Sequence, residues 1–316
     1  SKARIVFMGT GDIAIPSFMP LIGNGLVALV TQPDKPVGRK QILTAPRIKE
    51  IAIEHGVTVM QPKRARDTDF LDELEALQPD IIVVMAYGQI LTQRLLDMPK
   101  LACINLHGSL LPKYRGAACI QAAIDAGETY SGITAMHVVK ELDAGDIILQ
   151  KETAIGERET GGELHDRLAM LAPEALLETI DLLVAGKAPR IPQDPDLVSY
   201  IPKMMREDGE IDWSMTAIQL ERRIRAYDPW PGTSTTSVEK TGRNKGRRKR
   251  LKIFPQTEIM NQLGKPGEVL AANHELIVAC GEQALKIKQV QPDGSRRMSA
   301  EDFLRSNPVA VGDILG

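Results

Sequence analysis

Cysteine is scarce. The 316 residues hold three, Cys103, Cys119 and Cys280, far apart and never as C-x-x-C. That spacing excludes a disulfide framework or a cysteine-based zinc site and fits thiols in a reducing compartment. Long hydrophobic runs are missing too. The longest, IIVVMA at 81–86, is far too short to cross a bilayer. The opening SKARIVFMGTG has no signal-peptide pattern and enters a strand at once. A cytoplasmic chain that does not engage membranes is therefore expected. There is no internal repeat, and no G-x-S-x-G elbow to present a serine nucleophile. The one biased tract is GRNKGRRKR at 242–250.

The composition is that of an ordinary soluble chain, 43% apolar and 25% charged, and the length suits two domains. The net charge of −2 is uneven: from Lys203 onward it is +4, and before that −6. A mildly basic last third is a weak pointer to a polyanionic partner.

The first half alternates short apolar runs with helical patterns. RIVFMG (4–9), LVALVT (26–31), IIVVMA (81–86) and ACINLH (102–107) read as strands buried on both faces. DIAIPSFMPLIGNG, APRIKEIAIEHG and TDFLDELEALQPD between them read as helices, with Asp12 and Asp69 as N-caps and Gly25 and Gly56 as stops. A helix near 117–126 and the strands GITAMHVV and DIILQKET follow. A helical stretch then runs from about Gly161 to Ala185, broken or restarted at Pro173. The expectation is an α/β fold: a doubly wound, mostly parallel, Rossmann-like sheet. The segment 186–203, with four prolines, reads as an extended, semi-rigid linker. After it come an amphipathic helix at 214–227 and the short strands TSTTSV, RLKIFP, GEVLAA, ELIVAC and ALKIKQVQ, with a closing helix capped by Ser299. That pattern suggests a small OB-like β-barrel. The expected division is 1–187, a linker at 188–205, and 206–316.

Two motifs bear on chemistry. GTGDIA at 9–14 follows a strand and opens a helix, as a dinucleotide site does, and Asp34 stands near the distance of the ribose-binding acid. Asp34 sits between two prolines beside Lys35, however, which suits a protruding loop. In INLHGSLLPKYRG, Asn105 and His107 are two positions apart at a strand's carboxyl end. They share a face, roughly 6–7 Å apart along the backbone, where open α/β sheets form their crevice. ELDAGD then places Asp143 in a turn between two strands. A carboxylate beside the imidazole favours the imidazolium. The trio suits a reaction with a developing oxyanion and a proton to move.

INLHGSLLPKYRGAACIQAAIDAGE, followed by ELDAGDIILQ, resembles the folate-dependent formyltransferases. The resemblance implies direct transfer of a formyl group from 10-formyltetrahydrofolate to an amine, without a metal. Asn105, His107 and Asp143 would be the catalytic trio. Ser109, Leu110, Leu111 and Pro112 would contact the folate, with Tyr87, Gln89, Ile90 and Leu91 as the other wall. TQPDKPVGRK (31–40) and IDWSMTAIQLERRIRAYDPWPG (211–232) resemble the branch whose acceptor is an aminoacylated initiator tRNA. Arg39 and Lys40, and the tract residues Arg247, Arg248, Lys249 and Arg250, would then meet tRNA phosphates. A monomer is expected. The chain departs from the family in having Gly9-Thr10-Gly11 where G-T-P is frequent, and in a less Gly- and Lys-rich loop after Gly38. Other readings are an amino-sugar-nucleotide formyltransferase, a formyltetrahydrofolate hydrolase, an RNA-binding regulator with a vestigial catalytic half, and a nicotinamide enzyme resting on GTG alone.

Overall fold

The computed structural model describes residues 2–316. They form two compact units that interleave in sequence: the first takes residues to 119, 131–153 and 165–201, the second 120–130, 154–164 and 202–316.

The first unit is built on a seven-stranded sheet. Its spatial order is Ile147–Ala154, Tyr130–His137, Ala102–His107, Ile81–Met85, Ile5–Gly9, Leu26–Val30, Val59–Met60. From Ala102–His107 outward to Val59–Met60 all neighbours run parallel, whereas Tyr130–His137 is antiparallel to Ala102–His107. Ile5–Gly9 and Ile81–Met85 are buried at every position, because apolar residues occupy both faces and each face needs a cover. Val6, Met8, Ile82 and Val84 meet Phe70, Leu71 and Leu74 of the helix Thr68–Ala76, whereas Phe7 packs edge-on against Phe18.

Several local expectations need correcting. The first crossover is a short 3-10 and α segment between Asp12 and Leu21, preceded by Gly11, so Asp12 is not its cap. Thr68–Ala76 starts after Asp67, so Asp69 lies inside it. Pro173 sits within one continuous helix, Gly161–Val184. A helix-interior proline costs about 3 kcal/mol. Leu168, Leu176, Ile180 and Leu183 are all buried here, and burial of each is worth roughly 1.5–3 kcal/mol, so the helix survives. TQPDKPVGRK is not a plain loop: Lys35–Val37 and Ile42–Thr44 pair as an antiparallel hairpin turning at Gly38–Gln41. The proline-rich 186–203 segment is docked, and it holds a 3-10 turn at Pro195–Leu197. Ile191 bridges to Ile147, and Tyr200–Ile201 pairs in parallel with Arg115–Gly116.

The second unit carries two four-stranded antiparallel sheets. One orders Thr233–Val238, Arg248–Ile253, Gln289–Pro292 and Met298–Ser299. The other orders Glu258–Met260, Ala284–Ile287, Leu276–Ala279 and Val269–Ala272. ALKIKQVQ is thus not one strand. It breaks at Lys288, and its two halves serve different sheets. The helix Ala217–Ala226 opens with a capping box of Thr216 and Gln219. Its Leu220 and Ile224 join Trp213, Leu251, Val278, Leu285 and Phe303 in the core. Ser299 does cap the last helix, accepting from the Asp302 amide at 3.1 Å.

Candidate active site

Asn105 and His107 stand on the strand Ala102–His107, half-buried and buried respectively. Register pairs His107 with Thr134 of the antiparallel neighbour. The chain then turns through Gly108–Tyr114, held by a hub at Thr134. The Thr134 hydroxyl donates to the Ser109 carbonyl at 2.6 Å and accepts from the Leu111 amide at 3.1 Å and from Gln150 Nε2 at 3.0 Å. Ser109 Oγ donates to the Lys113 carbonyl at 2.8 Å. Of the run Ser109–Pro112, Ser109 and Leu111 are therefore buried as loop framework, and Leu110 and Pro112 are partly open.

Asp143 arrives from the turn between Tyr130–His137 and Ile147–Ala154. It is buried, with φ +53. Its Oδ2 accepts from the Gly116 amide at 2.8 Å. Its Oδ1 lies 3.6 Å from His107 Nδ1. The other ring nitrogen, Nε2, donates to the Tyr114 carbonyl at 2.9 Å. Burial alone pulls the ring down, but the Cys119 sulfur, the Asp143 carboxylate and the Tyr114 carbonyl outweigh it, and His107 is pushed up to about 9. The Asp143 carboxylate 3.6 Å from the ring and the Tyr114 carbonyl on its far side both favour the imidazolium. The result is a cationic donor held between a carboxylate and a backbone carbonyl at a strand end.

The neighbouring wall follows Ile81–Met85. Tyr87 is buried in the core, its hydroxyl without a partner among the described residues and pushed up to about 12 by burial. Gln89 accepts from the Ala65 amide at 2.6 Å and donates to Gln32 Oε1 at 2.8 Å. Leu91 packs on the core, while Ile90 is 90% exposed. Ile90 is the most exposed side chain of this segment.

The GTG segment is used internally. The amides of Thr10 and Gly11, which would have to face a pyrophosphate, donate to the Ala86 carbonyl at 3.0 and 3.2 Å. Asp34 is paired with Lys49 at 3.0 Å and accepts from Gln61 at 2.7 Å. Neither is arranged to hold a dinucleotide.

The basic residues are dispersed. Arg39 and Lys40 lie exposed at the hairpin turn, beside exposed Val37, Ile42 and Leu43. Arg247 is in the turn that precedes Arg248–Ile253. Arg248 donates to Thr236 Oγ1 and to the Gly316 carbonyl, Lys249 lies 3.5 Å from Glu239, and Arg250 donates to Ser234 Oγ at 3.0 Å. Strand alternation puts Arg248 and Arg250 on one face and Lys249 on the other, so the tract is not one continuous patch.

Sequence reading missed Thr134, Arg115, Cys119 and Gln193. Gly116 lay inside the quoted motif without a role. Its φ of +108, and a Cβ position that would clash with the Ile201 carbonyl, explain the glycine.

A doubly wound α/β unit with an imidazole–carboxylate pair at a strand's carboxyl end, together with an antiparallel β unit, describes a class. Comparison with known proteins narrows it. Residues 3–180 match the formyl transferase family and 203–308 the formyl transferase C-terminal domain. The chain belongs to the formyl transferase family. It is 52% identical to a methionyl-tRNA formyltransferase of Akkermansia muciniphila, covering 96% of this chain and 97% of that one. It is 44% identical to the enzyme of that name from Bacillus subtilis, covering 99% and 98%. Among solved structures the fold resembles the sugar 3N-formyl transferase WlaRD (TM-score 0.63, 16% identity, 94% and 100% covered). It also resembles HypX from Aquifex aeolicus in complex with tetrahydrofolic acid (TM-score 0.60, 20% identity, 96% and 47% covered).

Proposed function

We propose that this chain transfers the formyl group of 10-formyltetrahydrofolate to the α-amine of methionyl-initiator tRNA. The observation that carries the chemistry is the buried His107–Asp143 pair beside Asn105. The amine attacks the formyl carbon, and the carbonyl π pair moves to oxygen. His107 and Asn105 donate to that oxyanion. The C–N10 bond then breaks, the amine loses a proton, and N10 gains one. Asp143 keeps the ring charged and relays the proton through water. Nε2–H is engaged by the Tyr114 carbonyl, so the oxyanion must draw this donor away as it forms. Such a donor, offered late, stabilises the transition state more than the ground state. No metal takes part.

The folate would lie along Leu110, Pro112 and Ile90, with Ser109, Leu111, Tyr87, Gln89 and Leu91 shaping the walls behind. The catalytic work falls within 1–187, and 206–316 meets tRNA through Arg247, Arg248 and Arg250, joined by 188–205. Arg39 and Lys40 on the hairpin reach the same partner. The enzyme acts as a cytoplasmic monomer. Among the described residues no helix is long and apolar enough to cross a membrane.

The test is one assay: labelled formyl transfer from 10-formyltetrahydrofolate to charged initiator tRNA, with charged elongator tRNA, an amino-sugar nucleotide and water as competing acceptors. Initiator tRNA is the expected acceptor, and His107→Ala and Asp143→Ala each lose about 10²–10³ in turnover. Preferred transfer to the sugar or to water would overturn the tRNA assignment. Near-normal turnover in either variant would overturn the roles.

A further inference from the structure

We propose that Gln193 is a positioning residue for Asp143: its amide ties the backbone of the Asp143 turn to the buried Arg115 guanidinium. The inference rests on the formyl-transfer reading for its effect on rate, but the geometry stands by itself. Gln193 Nε2 donates to the Asp143 carbonyl at 2.7 Å and to the Gly145 carbonyl at 2.9 Å. Its Oε1 accepts from Arg115 Nε at 3.1 Å. Two carbonyls at one end and an obligate donor at the other permit one orientation of the amide.

The arrangement closes on itself. Arg115 is buried, donates through Nη1 to the Tyr200 hydroxyl at 3.1 Å, and lies 3.6 Å from Glu141 Oε1. The Tyr200 hydroxyl donates to the same Glu141 oxygen at 3.2 Å. Glu141 belongs to the Asp143 turn, so both ends of that turn are tied to one guanidinium. The segment carrying Gln193 is itself fixed at three places. Ile191 exchanges backbone hydrogen bonds with Ile147 at 2.7 and 3.0 Å, the Arg115 amide donates to the Ser199 carbonyl at 2.9 Å, and Tyr200–Ile201 pairs with Arg115–Gly116. Gln193 lies between the first of these anchors and the others.

Asp143 needs such support. Its φ of +53 is a backbone state that side chains other than glycine rarely adopt, and it persists when the surroundings over-determine it. Gly116 fixes one carboxylate oxygen from the side-chain end; Gln193 fixes the backbone end. With both in place Oδ1 is aimed at the His107 ring. Gln193 touches no reacting atom, and its reach to Asp143 spans fifty positions of sequence.

The experiment uses the full chain, two Gln193 variants and Asp143→Ala as the reference. Gln193→Glu keeps the size and the Arg115 partner but turns an acceptor toward two carbonyls. Gln193→Met keeps the length and removes every hydrogen bond. Turnover is measured with KM for donor and for charged tRNA, and the His107 ring is followed by NMR without substrates. A misplacement of about 1 Å costs on the order of 10²-fold in rate. The expected result is a kcat about 10²-fold lower in Gln193→Glu, KM values within about twofold, and His107 ring signals displaced toward those of Asp143→Ala. A wild-type kcat with an unmoved ring in either folded variant would overturn the inference, and so would a loss confined to KM. The ring measurement needs no formyl transfer, so inactivity of the wild-type chain toward tRNA would sink the functional reading and leave this one to be judged on the ring alone.

Discussion

The Gly116 amide donates to Asp143 Oδ2 at 2.8 Å, which leaves Oδ1 to face His107. This one contact joins the loop after the His107 strand to the turn bearing the carboxylate. At φ +108 Gly116 holds a backbone state that disfavours any side chain, and a Cβ would meet the Ile201 carbonyl.

Gly116→Ala should therefore destabilise and deactivate together. The left-handed state alone costs on the order of 1–3 kcal/mol for a residue other than glycine, and the clash adds to it. Urea denaturation is expected to show at least that loss, with turnover falling further than stability explains, because the displaced amide no longer holds Asp143. Unchanged turnover in a folded variant would show that Asp143 is placed by other means.

His107 sets a pH signature. The folded ring binds its proton more tightly than an unfolded ring with the ordinary value of 6.5, being pushed up to about 9. Its contribution to stability is complete below about pH 6.5 and is lost as pH rises toward about 9. Activity that needs the imidazolium should hold through neutrality and decline on the same alkaline limb. Asp143→Asn should lower the ring titration more than Cys119→Ser does. NMR titration of the ring checks this, and a larger drop in Cys119→Ser would mean that the Cys119 sulfur, not the carboxylate, sets the ring's charge.

The sheet was legible because the signal is local: RIVFMG, IIVVMA and ACINLH are apolar on both faces, and such runs have few alternatives. Asn105 and His107 were legible as a pair because strand alternation fixes their common face. Gln193 was not, because a glutamine in a proline-rich stretch looks like solvent-facing linker, and its partners lie fifty and seventy-eight positions away. Thr134 was hidden for a similar reason. Its role depends on antiparallel register with His107, and register is a tertiary fact. The Lys288 break in ALKIKQVQ escaped notice because both halves alternate like a strand; only the sheet each half joins tells them apart.

Thr134→Val keeps shape and removes the hydroxyl hub. It strands the Leu111 amide, the Ser109 carbonyl and one Gln150 bond in a fully buried place. An unsatisfied buried group costs about 1–3 kcal/mol, so a loss of about 3 kcal/mol is expected by urea titration. Because the loop Ser109–Pro112 loosens, KM for 10-formyltetrahydrofolate should rise severalfold while KM for charged tRNA stays. An equal rise in both would mean that the loop does not serve the folate selectively.

The basic tract separates by strand face. Lys249 is held near Glu239 on the side opposite Arg248 and Arg250, whereas Arg247 is exposed in the turn. If tRNA phosphates meet the arginine face, each lost contact should lower the slope of log binding constant against log salt by about 0.7–0.9. Arg247→Ala should lower it by about one such step. The pair Arg248→Ala and Arg250→Ala should lower it by about two, after correction for lost stability, since both arginines also bond the neighbouring strand through Thr236 and Ser234. Lys249→Ala should leave the slope in place, because its charge is already balanced and it points the other way. Binding of charged initiator tRNA measured across a salt series checks all three. Equal slopes for the lysine and arginine variants would show that the tract acts as diffuse charge, with no face presented to the nucleic acid.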